Sequence, residues 1–451
     1  MRIDVGQCLS AWSHQFDRVR AVLACDRLRA VECSVADTDT ILIVEDSRYY
    51  ATALAKGIET QTELKTMQAS TMAEALTLID RHKDEIFLAL LDLSLPDASG
   101  NEVVEVVGGL GIPIVVFSGS YDESVREWLM IAGVIDFVVK ENPGSVGIVI
   151  SLVRRLHLNR SIAALVVDDS RMSRLMLAKH MTRYFLQVHE AQDGQEALRV
   201  LKGHPEIRLV VTDHNMPNMT GYEFINHARA RASKEDLAII GLSSAQGTVS
   251  ATLLKAGAND FIHKPFIPEE FYCRVAQSLD FQETFQSLRV AATTDYLTGV
   301  RNRRAFYEQA KPLVAGARRG NLGVAVAILD VDKFKRVNDE HGHHVGDQVL
   351  KRVAVVLARE LRETDIVGRL GGEEFGILLA GKQDSQWLLS LERVRAAIEN
   401  ERVVLMEGSL GVTASIGVST SIDTLDNMLK AADQALYEAK ETGRNRVIVS
   451  Q

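Results

Sequence analysis

"RETDIVGRLGGEEFGILL", Arg362 to Leu379, sets two runs that alternate apolar and other residues on either side of a glycine pair. Period-two runs flanking Gly371-Gly372 predict a β-hairpin in which the glycines supply the positive φ of a two-residue turn. Glycine also leaves room for a ligand to approach the backbone. Glu373 and Glu374 fall at the mouth of that hairpin, where neighbouring acids repel unless a cation or a shared proton offsets them. Taken alone, Gly-Gly-Glu-Glu reads equally as a solvated hairpin tip.

The context lies upstream, in "VAVAILDVDKFKRVNDEHGHHVGDQVL" (Val324 to Leu350). Its apolar start predicts a buried strand ending at Asp330 and Asp332. Asp330 together with a glutamate from the hairpin offers hard oxygen ligands, which favour Mg²⁺ or Mn²⁺ over zinc. Lys335 adds a cation for phosphate, and Asn338 and Asp347 add amide and carboxylate groups able to hydrogen-bond a base edge. The set implies a nucleotide ligand.

With "DYLTGVRNRR" (Asp295 to Arg304) before these stretches and "ALYEAKETGRNRV" (Ala435 to Val447) after them, the chain from about Thr293 to Val449 resembles a GGDEF domain, the catalytic domain of diguanylate cyclases, here with Glu at the third motif position. The resemblance implies a ferredoxin-like sheet with added elements. It implies that Asp330, the Val331 carbonyl and Glu373 hold the metal ions, and that Asn338 and Asp347 read guanine. Backbone groups near Phe334, with Lys335, Lys440 and Arg444, would neutralise the triphosphate of GTP, and Gly371 and Gly372 would border the substrate. Lys335 and Glu374 are the catalytic candidates, Glu374 as either a metal contact or a base. Lys440 and Arg444, four apart, are expected on one face of a helix.

The implied reaction joins two GTP molecules into cyclic di-GMP, each brought by one domain of a homodimer. Arg362 and Asp365, with five residues between Asp365 and Gly371, match the family's product-inhibition site, and Arg393 is the candidate for its second-domain contact. A catalytically silent nucleotide sensor is the rival from another class, and a mixed guanine-adenine cyclase is a second rival. The metal acids and both motif glycines weigh against the first, and Asp347 weighs against the second.

Before Thr293 the sequence repeats itself. "ILIVEDS" (Ile41 to Ser47), "LALLDLSLPDASG" (Leu88 to Gly100), "IVVFSGS" (Ile114 to Ser120) and "DFVVK" (Asp136 to Lys140) return as "ALVVDDS" (Ala164 to Ser170), "LVVTDHNMPNMTG" (Leu209 to Gly221), "IIGLSSA" (Ile239 to Ala245) and "DFIHKPF" (Asp260 to Phe266), offset by 121 to 124 positions. Short apolar runs alternating with helical patterns predict a doubly wound parallel sheet in each copy. Glu45, Asp46 and Asp92, and likewise Asp168, Asp169 and Asp213, are then expected at the carboxyl ends of strands, a cluster suited to a divalent cation and to phosphorylation of an aspartate.

Both copies resemble response-regulator receiver domains of flavodoxin-like fold. The resemblance implies Asp92 and Asp213 as phosphoacceptors, Ser118 with Lys140 and Ser243 with Lys264 as the hydroxyl and lysine, and Phe137 and Phe261 as the aromatic switch. A sensor histidine kinase or phosphotransfer protein is the implied partner. Lys264 is followed by Pro265 but Lys140 by Glu141, so the first receiver's lysine is expected to be less well aimed and Asp213 is the preferred acceptor.

The expected organisation is α/β throughout: a helical extension over residues 1–38, receivers over 39–157 and 160–280, a signalling helix over 281–294 and the cyclase over 293–451. In the connecting segment, Phe271, Val275, Leu279, Phe285 and Leu288 form a largely helical apolar stripe, read as a helix pairing between protomers or simply packing on the receiver. The 451 residues suit about three domains, and a hydrophobic content of 46% supports separate cores. A net charge of −9 argues against sequence-independent nucleic-acid binding and against a polybasic membrane patch. Cys8, Cys25, Cys33 and Cys273 show no Cys-x-x-Cys pairing, which suggests reduced thiols in a cytosol, and the receiver resemblance implies that the cytoplasm is bacterial. The sequence contains no apolar run approaching the length of a membrane span.

Overall fold

Every residue of the run Thr40–Val44 (β1) is buried, as a parallel strand covered by helices on both faces requires. The computed structural model describes residues 39–119, 123–141, 144–244, 249–320, 323–381, 384–405 and 408–450. The helix expected over residues 1–38, with Cys8, Cys25 and Cys33, lies outside the described residues, as do Ser120 and Ala245. The chain divides into two compact units, Met1–Gln282 and Glu283–Gln451.

In the first unit, β1 is followed by α1 (Arg48–Gln61), β2 (Lys65–Ala69), α2 (Met72–His82), β3 (Ile86–Leu91), α3 (Gly100–Gly109), β4 (Ile114–Ser118), α4 (Glu123–Ala132), β5 (Asp136–Val139) and α5 (Ser145–Asn159). The strands form a parallel sheet in the order β2-β1-β3-β4-β5. The same plan recurs as β6 (Ala163–Val167), α6 (Arg171–Arg183), β7 (Gln187–Ala191), α7 (Gly194–Gly203), β8 (Ile207–Asp213), α8 (Gly221–Arg229), β9 (Ala238–Ser243), α9 (Val249–Ala256), β10 (Asp260–His263) and α10 (Pro268–Thr293). Its sheet order is β10-β9-β8-β6-β7. Both sheets are doubly wound, so their central strands carry continuous apolar runs while edge strands β2 and β7 are polar and partly exposed.

The two copies share one core. Helix α5 buries a broad face, with Val149, Ile150, Leu152, Val153 and Leu156 in the core the two copies share, and leaves a stripe at Gly147, Ile148, Ser151 and Arg154 exposed. Across the copies Phe87 packs on Phe185 with ring centroids 4.6 Å apart, and within the second copy Tyr184 stacks on Tyr272 at 4.7 Å. Charge ties the seam as well: Arg126 Nε donates to Glu269 Oε1 at 2.8 Å, and buried Arg155 pairs with Asp280. Both acids lie on α10.

Helix α10 runs unbroken from Pro268 to Thr293, so the helix expected over 281–294 begins within the second receiver. The apolar stripe divides along it. Phe271, Val275 and Leu279 are fully buried, whereas Phe285 and Leu288 are exposed at 38% and 63%.

The second unit contains α11 (Arg303–Arg318), β11 (Val324–Val331), α12 (Phe334–His341), α13 (His343–Glu360), β12 (Ile366–Gly371), β13 (Glu374–Ala380), α14 (Asp384–Asn400), β14 (Val403–Val404), β15 (Ser409–Leu410), β16 (Ala414–Ser419), α15 (Leu425–Glu441) and β17 (Val447–Val449). Its main sheet is mixed, in the order β12-β13-β11-β16-β17, with only the β16–β17 pair parallel. Alternation on β11 sends Ala325, Ala327 and Leu329 into the core with α13 and α14, and Val324, Val326 and Ile328 into the core with α11 and α15. By the same parity Asp330 faces the α15 side.

Asp136, at the receiver seam, has a carboxyl pushed up to about 6 by burial, with Glu269 adding to the rise and the Phe137 N–H and Arg126 opposing it. A carboxyl raised in the folded state contributes stability that is full below its unfolded value of about 4 and is lost as pH climbs through about 6. Asp136→Asn keeps the oxygen that accepts from Phe137 N. The variant should therefore unfold at a higher temperature than the parent at pH 8, with the gap closing as pH falls towards 4, as followed by thermal melts of the full chain.

Candidate active site

The carboxyl end of β11 brings the acids together. Asp330 is 5% exposed and lies directly opposite Glu374 in the antiparallel ladder, so the two side chains share a face at cross-strand distance. Lys440 Nζ sits 2.8 Å from Asp330 Oδ2. Burial pushes the Asp330 carboxyl up to about 6; Lys440 opposes the rise and Glu373 and Glu374 add to it.

Asp332 has a different task. It accepts from Thr413 Oγ1 and Ser415 Oγ, both at 2.7 Å, and from the Asn445 backbone N–H at 3.1 Å. Its oxygens are spent on holding the loop that carries Arg444 against the end of β16. The strand end expected at both acids thus offers one for chemistry, Asp330, and one for architecture.

The hairpin differs from its expected form by one residue. A register shift between Arg369 and Gly371 pairs Gly371 with Glu374, so the two turn residues are Gly372 and Glu373 rather than Gly371 and Gly372. Gly372 adopts φ 52°, the left-handed region that glycine enters without penalty. The shift puts Glu373 in the turn itself, where its carbonyl accepts from Val331 N at 3.4 Å. Arg369, not singled out in the sequence, locks the turn: its Nε and Nη2 donate to Gly372 O at 2.8 and 2.7 Å, and its Nη1 reaches Asp295 Oδ1 at 3.0 Å. Asp295 belongs to the "DYLTG" stretch, where it also accepts from Thr298 N and Oγ1. Two separated motifs therefore meet through one guanidinium.

Helices α12 and α13 fold back on each other at Gly342. Gly346 lies so close to the Asn338 carboxamide that a Cβ there would come 2.0 Å from Asn338 Oδ1. That contact brings Asn338 beside the turn of α13 that bears exposed Asp347. At the other end of α12, Lys333 takes φ 56°, Phe334 is buried and Lys335 is exposed. Lys440 and Arg444 do not share a helix face as expected. α15 ends at Glu441, and Arg444 follows in a left-handed turn at φ 63°, held by its N–H to Ala439 O.

Arg362 and Asp365 border an open groove of about 720 Å³, to which Arg289, Arg301 and Leu361 also contribute. Asp365 is 9% exposed and uses one oxygen on the Arg362 N–H and the other on the Ala380 N–H, while the Arg362 side chain is exposed. Arg393 is engaged by Glu360, with Nε to Oε2 at 3.1 Å.

In the first receiver Glu45 and Asp92 are buried, and donor atoms of Glu45, Asp46 and Asp92 lie within 4.8 Å of one another. Lys140 Nζ is 2.6 Å from both Glu45 and Asp92 and stacks over the Tyr50 and Phe117 rings. The expectation that a missing proline after Lys140 leaves the lysine badly aimed is thus corrected: those two rings and two acids direct it instead. Ser118 is fully buried at the carboxyl end of β4, with its carbonyl accepting from the Lys140 N–H, and its hydroxyl makes no hydrogen bond among the described residues.

In the second receiver Lys264 Nζ reaches Asp168 Oδ2 at 2.7 Å and Asp213 Oδ1 at 2.6 Å, and Ser173 Oγ also donates to Asp168 Oδ2 at 2.7 Å. Asp169 is exposed, Ser243 is buried at the end of β9, and the Lys264–Pro265 bond is cis. The switch aromatics differ in setting. Phe261 is 8% exposed and packs edge-on to His263, whereas Phe137 is only half-buried.

Residues 292–446 match the family described as diguanylate cyclase, GGDEF domain, and residues 41–146 and 164–276 each match the response regulator receiver domain. A solved two-component system response regulator/GGDEF domain protein is 43% identical, with 54% of this chain and 99% of that one covered and a TM-score of 0.51. The chain belongs to the receiver-linked GGDEF family. Response regulator PleD of Caulobacter vibrioides is 31% identical over 297 residues, 63% of this chain and 65% of PleD, and diguanylate cyclase DgcP of Pseudomonas aeruginosa is 39% identical over 172 residues, 38% of this chain and 26% of DgcP. The chain spans less than two thirds of these curated relatives' own lengths. Among the described residues no helix of this GGDEF protein is long and apolar enough to cross a membrane.

Proposed function

We propose that this chain is a phosphorylation-regulated diguanylate cyclase that condenses two GTP into cyclic di-GMP and two pyrophosphates. The observation that carries the reading is the pairing of buried Asp330 with Glu374 at the mouth of a glycine turn, with an ammonium already bound to Asp330. An all-oxygen donor set built from the Asp330 carboxylate, the Val331 carbonyl and the Glu373 carboxylate suits Mg²⁺ or Mn²⁺, and Lys440 supplies the positive charge the site calls for. The residues therefore fit the metal. When bound, such an ion lowers the pKa of the attacking hydroxyl and stabilises charge on phosphoryl oxygens.

The chain's own groups do the rest. Asn338 and Asp347 hydrogen-bond the guanine edge, and the first amides of α12 at Phe334, with Lys335, Lys440 and Arg444, hold the triphosphate. Gly371 and Gly372 border the substrate without side chains. A ribose 3′-oxygen attacks the α-phosphorus of the second GTP, the bond to the β-phosphate breaks, and pyrophosphate leaves. Glu374 serves as a further ligand or takes the hydroxyl proton. Positioning supplies much of the rate. Because the product has two-fold symmetry, two copies of the domain act face to face, as a homodimer.

The groove at Arg362 and Asp365 is read as the product's inhibitory site, with the Arg362 guanidinium free to fork onto phosphate and Arg393 available once it releases Glu360. In the receivers, Asp213 is the proposed phosphoacceptor, because the last helix of its domain, α10, continues towards the cyclase. Asp92 is an intact second acceptor. A sensor histidine kinase or phosphotransfer protein would be the donor.

Purified protein incubated with Mg²⁺ and GTP should yield cyclic di-GMP, and Glu373→Gln should lower turnover by at least about a hundredfold, since even groups behind a metal ligand are worth about 10–100-fold. Full activity in that variant would refute the assignment. Arg362→Ala should keep the initial rate while weakening cyclic di-GMP binding about tenfold or more, the worth of a charge-assisted hydrogen bond; unchanged titration of the product would overturn the inhibitory-site reading. Beryllofluoride should activate the parent and Asp92→Asn but not Asp213→Asn. The reverse pattern would make the first receiver the input.

A further inference from the structure

Away from every acidic pocket, the edge of the second receiver gathers two imidazoles and a carboxylate. His189 lies on edge strand β7, and His204 and Glu206 flank Pro205 in the turn between α7 and β8. Ligand atoms of all three lie within 4.8 Å of one another. The rings of His189 and His204 have centroids 4.2 Å apart with planes inclined by 39°, and His204 Nδ1 is 2.9 Å from Glu206 Oε1.

The backbone beneath these side chains is held in place. β7 is paired to β6 with His189 opposite Leu165, and the turn is closed by His204 N to Val200 O at 2.9 Å and Ile207 N to His204 O at 3.2 Å. Pro205 restricts its own φ and pushes His204 out of the helical region, to φ −128°, ψ 74°. The three donors are thus carried on rigid elements and not on a wandering loop.

We propose that His189, His204 and Glu206 form a binding site for a divalent transition metal, with Zn²⁺ as the best-matched ion. Two imidazole nitrogens and one carboxylate are a borderline donor set that Mg²⁺ and Ca²⁺ do not favour. A tetrahedral zinc with ligand bonds of about 2.0–2.2 Å needs its donors roughly 3.3 Å apart, within reach of side-chain rotation from the separations present. The fourth position faces solvent and takes water. Bound metal would pin edge strand β7 to the turn before β8 and stabilise the second receiver by mass action.

The test is isothermal titration of Zn²⁺ into the full, chelator-treated chain in excess Mg²⁺, with thermal melts alongside. The parent should show a Zn²⁺ site absent from His189→Ala and from His204→Ala, and Zn²⁺ should raise the parent's melting temperature but not theirs. Glu206→Gln, which keeps a hydrogen-bonding oxygen, should fold normally and bind about tenfold more weakly or worse. If Zn²⁺ binds no better than Mg²⁺, the proposal fails. It fails equally if all three variants retain the parent's stoichiometry and affinity, the result expected were the ion held instead by His341, His343 and His344.

Discussion

A carboxylate buried at the end of a strand loses its water and must find a cation, and the same answer recurs in each domain of this chain: one lysine ammonium. Lys140 bridges Glu45 and Asp92, Lys264 bridges Asp168 and Asp213, and Lys440 holds Asp330. Removing one partner of a fully buried pair costs about 3–5 kcal/mol, a limit approached most nearly at Lys140, which is 8% exposed. The acids can remain concentrated only while that charge is answered. Each lysine therefore stabilises the acids of its own site.

The receivers are joined by more than sequence adjacency. Helix α5 buries a broad face in the core that both receivers share, and the acids that meet Arg126 and Arg155 of the first receiver lie on α10, the last helix of the second. A rearrangement around β5, which carries Asp136 and Phe137, would be felt at Glu269 and along α10 through these contacts. These contacts connect both receivers to the helix that leads to the GGDEF domain.

Within the GGDEF domain, the division of labour between Asp330 and Asp332 follows from neighbours far away in the chain. Two hydroxyls and an amide from residues 413–445 satisfy Asp332, leaving Asp330 with a lysine and two glutamates. Arg369 does comparable work for the turn, joining Gly372 to Asp295. An arginine in an alternating strand reads as solvent-facing surface. Its one sequence signal was its position two residues before the glycine pair.

Local pattern was enough for the architecture. Runs such as "ILIVEDS" and "ALVVDDS", the repeat offset and the alternation around the glycines predicted two parallel sheets and a hairpin, because periodicity and burial are properties of neighbours in sequence. The acids at strand ends were legible for the same reason. Tertiary structure decided what depends on contacts between distant residues. The bulge before Gly371 moved the turn to Gly372-Glu373, and α15 stopped at Glu441, taking Arg444 off the face of Lys440. Lys140 was aimed by Tyr50, Phe117 and two acids, with no proline after it. Register, helix ends and side-chain aim are set by small energy differences among packed partners, and those partners are brought together only when the chain folds.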